Sequence, residues 1–107
     1  MKFTPETNPI WFGMFNVTGP KEAALLDGYA GAWLWIAAQA EDSVRFVSRA
    51  EHAMRELGLC IVEHEDVQRV ENEDDLSESI RELIPEARSN PESVVCGTWH
   101  RYKGQDA

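Results

Sequence analysis

Ala32-Trp33-Leu34-Trp35-Ile36-Ala37-Ala38, followed by Ser43 to Leu57 and then by Leu59-Cys60-Ile61-Val62, reads as strand, helix, strand. The two flanking runs are short, apolar and rich in β-branched or aromatic side chains, which favours extended chain. Between them Val44, Val47, Ala50, Met54 and Leu57 recur every three or four residues and are expected to line one helix face. Asp42 stands where an N-cap carboxylate accepts the first free amides, and Gly58 stands where the chain leaves a helix through a left-handed residue. A βαβ unit is therefore the centre of the fold.

Working outward, Ile10 to Val17 is apolar on both alternating sets, as in a strand covered on both faces, with Gly13 allowing a bulge or a close neighbour. Thr18-Gly19-Pro20 ends it, and Pro20 is placed to open a short helix that Asp27-Gly28 closes. This connection is too short for a parallel crossover, so the first two strands are expected to pair as an antiparallel hairpin. After His64, Val67-Gln68-Arg69-Val70 either extends the third strand past a bend or leaves the sheet. Leu76, Ile80, Leu83, Ile84 and Ala87 share a helical face, with Asp74 or Asp75 as cap and a kink or break expected at Pro85. Ser93 to Tyr102 is the last strand.

One domain over residues 1–107 follows, with an irregular arm at 1–9 and a polar tail at 103–107. The class is α+β, a four-stranded sheet with the two main helices expected on one face. In layout this resembles a ferredoxin-like sandwich with a shifted strand order, a resemblance that implies a fold and no functional residue.

Charge narrows the partners. Ten Lys and Arg against nineteen Asp and Glu give a net charge of −9, which excludes the basic face that phosphate contacts demand, so no nucleic-acid partner is expected. Eight of the acids, against one base, fall between Glu63 and Glu78. The opening residues lack the apolar region of a secretory signal, and the apolar run from Gly28 to Ala38 is too short to span a bilayer, so a cytoplasmic protein with no membrane partner is expected. Cys60 and Cys96 lie in strand-like runs and read as reduced, buried thiols.

The spacing Cys60/His64 repeats in Cys96/His100 and supplies zinc-type ligands, yet residues four apart on a strand are roughly 13 Å apart and cannot chelate together. No metal site and no cofactor is expected. A thiolate nucleophile wants an electropositive, partly exposed setting, which the apolar neighbours Val94 and Val95 do not offer, so no catalytic residue is assigned. The turn Gly28-Tyr29-Ala30-Gly31 lacks the following helix of a phosphate cradle, and the acidic run lacks the glycine and distal glutamate of a calcium loop.

Two surfaces remain. Alternation sets Trp33 and Trp35 on one side of their strand, and with Trp99, His100 and Tyr102 they form a candidate ligand-binding set in which His100 is the acid-base group. Glu71, Glu73, Asp74 and Asp75 form a candidate surface for a basic protein partner. Because two helices on one face leave the other bare, the favoured function is a non-enzymatic interaction module that self-associates as a homodimer through its sheet. The alternative is a small-molecule-binding or enzymatic domain with an aromatic pocket around His100.

Overall fold

The computed structural model describes residues 8–20 and 22–103. The expected arm, apart from Asn8 and Pro9, and the tail after Lys103 lie outside the described residues. In chain order the elements are β1 (Ile10–Thr18), β2 (Gly31–Gln39), α1 (Ser43–Glu56), β3 (Cys60–Arg69), α2 (Glu78–Arg81), α3 (Ile84–Ser89), β4 (Val95–Cys96) and β5 (His100–Tyr102). They form an α+β fold in which one sheet runs β3-β1-β2-β4, with β5 also paired to β2.

β1 and β2 are an antiparallel hairpin, Ile10 opposite Gln39 and Thr18 opposite Gly31, as the short connection requires. That connection is a single 3-10 turn, Ala24–Leu26, closed by Asp27 and Gly28 at φ 49° and 84°. β3 pairs antiparallel with the other edge of β1, so the unit β2-α1-β3 is split, with β1 inserted between its two parallel strands. A split unit of this kind, in shifted strand order, is consistent with a ferredoxin-like sandwich.

Val67 to Arg69 belong to the sheet: β3 continues past a bulge at Asp66, whose φ is 56°. The register between β1 and β3 shifts at two places, between Phe12 and Met14 and between Asn16 and Val17. Beside the first shift, a Cβ on Gly13 would lie 2.8 Å from Val67 Cγ2, so glycine lets the two strands approach.

Asp42 caps α1, its carboxylate accepting the Arg45 amide at 2.8 Å, and Gly58 follows at φ 81°. The buried face of α1 is shifted from the expected stripe rather than replaced. Ala50 and Met54 are buried and Val47 packs against the core as expected, but Phe46 is buried too, whereas Val44 is 76% and Leu57 49% exposed. Phe46 buries more apolar area than either valine, and its edge-on contact with Phe15, 5.7 Å between ring centroids, fixes the helix rotation.

α1 covers one face of the sheet, over Phe15, Val17, Ala32, Leu34, Ile36 and Ala38. The second helical segment breaks ahead of Pro85, which occupies the first turn of α3, and buries Ile80, Leu83, Ile84 and Ala87. These residues pack on Ile10, Phe12 and Ala37, whose side chains point to the opposite face. The placement of both helices on one face is thus corrected. The handedness rule behind that expectation governs parallel connections, but β4 runs antiparallel to β2 and hence to β3, so the return is free to cross the other face.

The last strand also divides. β4 and β5 are separate short pairings with β2, and between them the Gly97 amide bonds the Trp35 carbonyl at 2.8 Å. The acidic linker forms a 3-10 turn, Glu73–Asp75, capped by Asn72, while α2 begins at Glu78 after Ser77 rather than from Asp74 or Asp75. Among the described residues no helix is long and apolar enough to cross a membrane.

Candidate functional site

The face opposite α1 is covered at one end only. α2 and α3 sit over the end holding Ile10, Phe12, Ala37 and Gln39, where Gln39 Nε2 donates to the carbonyls of Ala87 and Arg88 at 3.0 and 3.2 Å. Beyond them the strand register lays out a grid on this same face. One row runs Glu63, Asn16, Trp33, His100 across β3, β1, β2 and β5; the next holds Glu65, Met14 and Trp35; the third holds Cys60, Thr18, Gly31 and Tyr102. Met14, Trp33, Trp35 and Tyr102 are half-buried and His100 is exposed.

Asn16 is the polar centre of the grid and is only 9% exposed. Its Oδ1 accepts the Tyr102 hydroxyl at 2.5 Å, and its Nδ2 donates to Glu63 Oε1 at 3.5 Å. Tyr102 reaches β1 by lying across Gly31: a Cβ there would come within 2.5 Å of the tyrosine hydroxyl and within 2.5 Å of the Val17 carbonyl oxygen. Glycine at this position is what allows a side chain from β5 to bond a residue two strands away. Sequence reasoning missed Asn16, Met14 and Glu63; the available signal was a polar residue inside a run that read as apolar on both faces.

Of the five residues read as a ligand set, four share this face. Trp33, Trp35, His100 and Tyr102 come together, Trp35 also resting on Phe12 at 5.9 Å between centroids. Trp99 does not join them, because it packs against the cluster under α1. Grooves of about 620, 430, 310 and 470 Å3 occur on the molecule, and none of the four is lined by these five residues. His100 and Glu63 end the same row three strand spacings apart, roughly 14 Å, too far for an acid-base pair.

The cysteine-histidine repeat is dispersed. Cys60 and His64 belong to one edge strand and Cys96 and His100 to the strands at the opposite edge, so their side chains do not converge. Among the described residues no three His, Cys, Asp or Glu are placed to hold a metal ion. Cys60 is exposed, which corrects its reading as a buried thiol. Cys96 lines the 620 Å3 groove with Met54, Leu57 and Val94, and its burial pushes the thiol up to about 11, so it is protonated and a poor nucleophile at neutral pH.

The acidic set is partly engaged within the chain. Glu73 pairs with Arg88, Glu71 lies 3.3 Å from Arg69, and Asp74 and Asp75 are exposed on the turn. Such surface pairs are worth at most about 1 kcal/mol each, so they tie the turn down without fixing the fold. No protein-family model, no curated protein and no solved structure matches this chain.

Proposed function

We propose that this chain is a cytoplasmic, non-enzymatic interaction module that self-associates through the uncovered end of its sheet. The observation that supports the reading is the grid itself: Met14, Trp33, Trp35 and Tyr102 lie side by side on regular strands, and of the four only Trp35 packs against the cluster under α2 and α3. Each indole removes about 150 to 250 Å2 from water when fully covered, and at roughly 25 cal/mol per Å2 the area still open on two of them rewards association. A twofold axis parallel to the strands would lay the Glu63 side of one copy over the His100 side of the other. The exposed Asp74 and Asp75, with Glu71 and Glu73, are proposed to steer basic partners toward the module.

Trp33 is the cleanest probe, since Trp35 also packs on Phe12 and its loss would disturb the helix-covered end. Sedimentation equilibrium from about 1 to 100 μM is expected to show a dimer in the parent and a monomer in Trp33→Lys, both with the same far-UV circular dichroism. A parent that stays monomeric throughout overturns the reading. One observation favours a small-molecule site on the same residues instead: Asn16, held between Tyr102 and Glu63, is a fixed polar anchor beside Trp33. A ligand there would leave the parent monomeric and quench its tryptophan fluorescence saturably.

A further inference from the structure

β3 is an edge strand ten residues long, paired with β1 on one side and with no other described strand on its outer side. On the α1 face, its outer margin borders a groove of about 430 Å3 lined by Ser43, Val44, Val47, Glu51, His64 and Val67. Val44, at 76% exposure, is the most exposed large apolar side chain of the described residues and stands on the helical wall of that groove. On the opposite face, the same stretch of β3 presents Glu63 and Glu65 beside Asn16 and Met14. A free strand edge, an apolar trough along one of its faces and a pair of carboxylates on the other are the three parts of a site for strand addition.

We infer that β3 and α1 together bind an extended peptide as a sixth strand, with basic and apolar residues alternating along it. Period-two geometry dictates the pattern. A peptide residue opposite His64 points toward α1, where Val44, Val47 and Val67 receive an apolar side chain; its neighbours, opposite Glu63 and Glu65, point to the other face, where lysine or arginine is matched.

The same charges work against a second copy of this chain pairing over the Glu63–Glu65 stretch. In an antiparallel self-pairing centred on His64, Glu63 of each copy would face Glu65 of the other, placing like charges directly opposite on both sides of the centre. Asp66 adds a further acid at the bulge. Over this stretch a basic strand is thus better matched than a second copy. The apolar half of the site lies on the other face of the sheet from the tryptophan grid, whereas Glu63 and Glu65 border the grid, so Val44→Asp is the variant that separates peptide binding from self-association.

The probe is a fluorescein-labelled nine-residue peptide of alternating lysine and valine, with a control in which the same residues are arranged in two blocks. Fluorescence anisotropy in low salt is expected to give saturable binding of the alternating peptide, at least roughly tenfold tighter than the blocked one. Glu63→Lys with Glu65→Lys, and separately Val44→Asp, are each expected to weaken it by roughly tenfold or more. All three positions are exposed, so these variants are expected to keep the parent circular dichroism. Amide resonances of residues 61–67 should move on titration. Equal binding of the two peptides, the absence of saturation, or resonance shifts confined to other strands would overturn the inference. So would concentration-dependent protection of the β3 amides without peptide, which would assign the edge to a second copy.

Discussion

The four tryptophans divide evenly between the two faces of one sheet, and all four are half-buried, yet they do different work. Trp11 and Trp99 pack at the margin of the cluster under α1, and the Trp11 indole nitrogen donates to the Ala40 carbonyl at 3.0 Å. Trp35 rests on Phe12 at the edge of the smaller cluster under α2 and α3, and Trp33 touches neither cluster. Fractional burial alone does not distinguish these pairs. What does is whether a helix closes over the strand: α1 spans its face with fourteen residues, whereas α2 and α3 together supply ten, reach only the margin of Trp35 and stop short of Trp33.

The largest expected effect lies on the closed face. Phe46 is fully buried against Phe15, and Phe46→Ala should cost about 3 to 5 kcal/mol in urea unfolding. Val44→Ala, two residues away on the exposed side, should change stability by less than about 0.5 kcal/mol. Comparable losses for the two would mean that α1 sits rotated from the orientation described.

Next is the alkaline edge of the stability curve. The Cys96 thiol is raised from its ordinary value of 9.0 to about 11 by burial, so the folded chain holds its proton more tightly than the unfolded chain. The resulting stability is fully present below pH 9 and is lost as pH climbs toward 11, approaching roughly 2 kcal/mol on the scale of about 1.4 kcal/mol per unit. Denaturation of parent and Cys96→Ala across this range should show the extra slope in the parent alone. Identical slopes would place Cys96 in water. Thiol labelling at neutral pH should likewise modify Cys60 well before Cys96.

A smaller effect tests whether the open face is preorganised. Tyr102→Phe removes the donor to Asn16 Oδ1 and leaves a nearly buried acceptor short of a partner, which should cost about 1 to 2 kcal/mol by thermal or urea denaturation. No loss would mean that water substitutes for the hydroxyl and that the grid is not held in place by β5. Smaller again is the cap: Asp42→Ala should lower stability by about 1 kcal/mol through the Arg45 amide, on the closed side of the molecule.

Most of the architecture was legible because local chemistry marks it. Asp42 and Gly58 bound α1, Pro20 and Asp27-Gly28 mark the hairpin connection, and Pro85 marks the helix break. What was not legible depends on contacts distant in sequence. The rotation of α1 is set by Phe15, some thirty residues upstream of Phe46, and the spacing alone put Val44 and Leu57 in the buried stripe and left Phe46 out of it. The side taken by α2 and α3 depends on the direction of β4, a strand of two residues with almost no periodicity to read. In the candidate site, strand alternation placed Trp33 with Trp35, but grouping Trp99 with His100 and Tyr102 ignored the same alternation, which turns neighbours on a strand to opposite faces. Asn16 was invisible because its meaning comes from Tyr102, which reaches it only across Gly31.

One pair of tryptophans sits in a finished core and the other in an unfinished one, a difference that the four indole N–H resonances of the 15N-labelled protein report, assigned by single Trp→Phe variants and followed on dilution from about 1 mM to 10 μM. The Trp33 and Trp35 signals should move with concentration while those of Trp11 and Trp99 stay fixed. Four stationary signals, or movement of the Trp11 and Trp99 pair in place of the other, would contradict it.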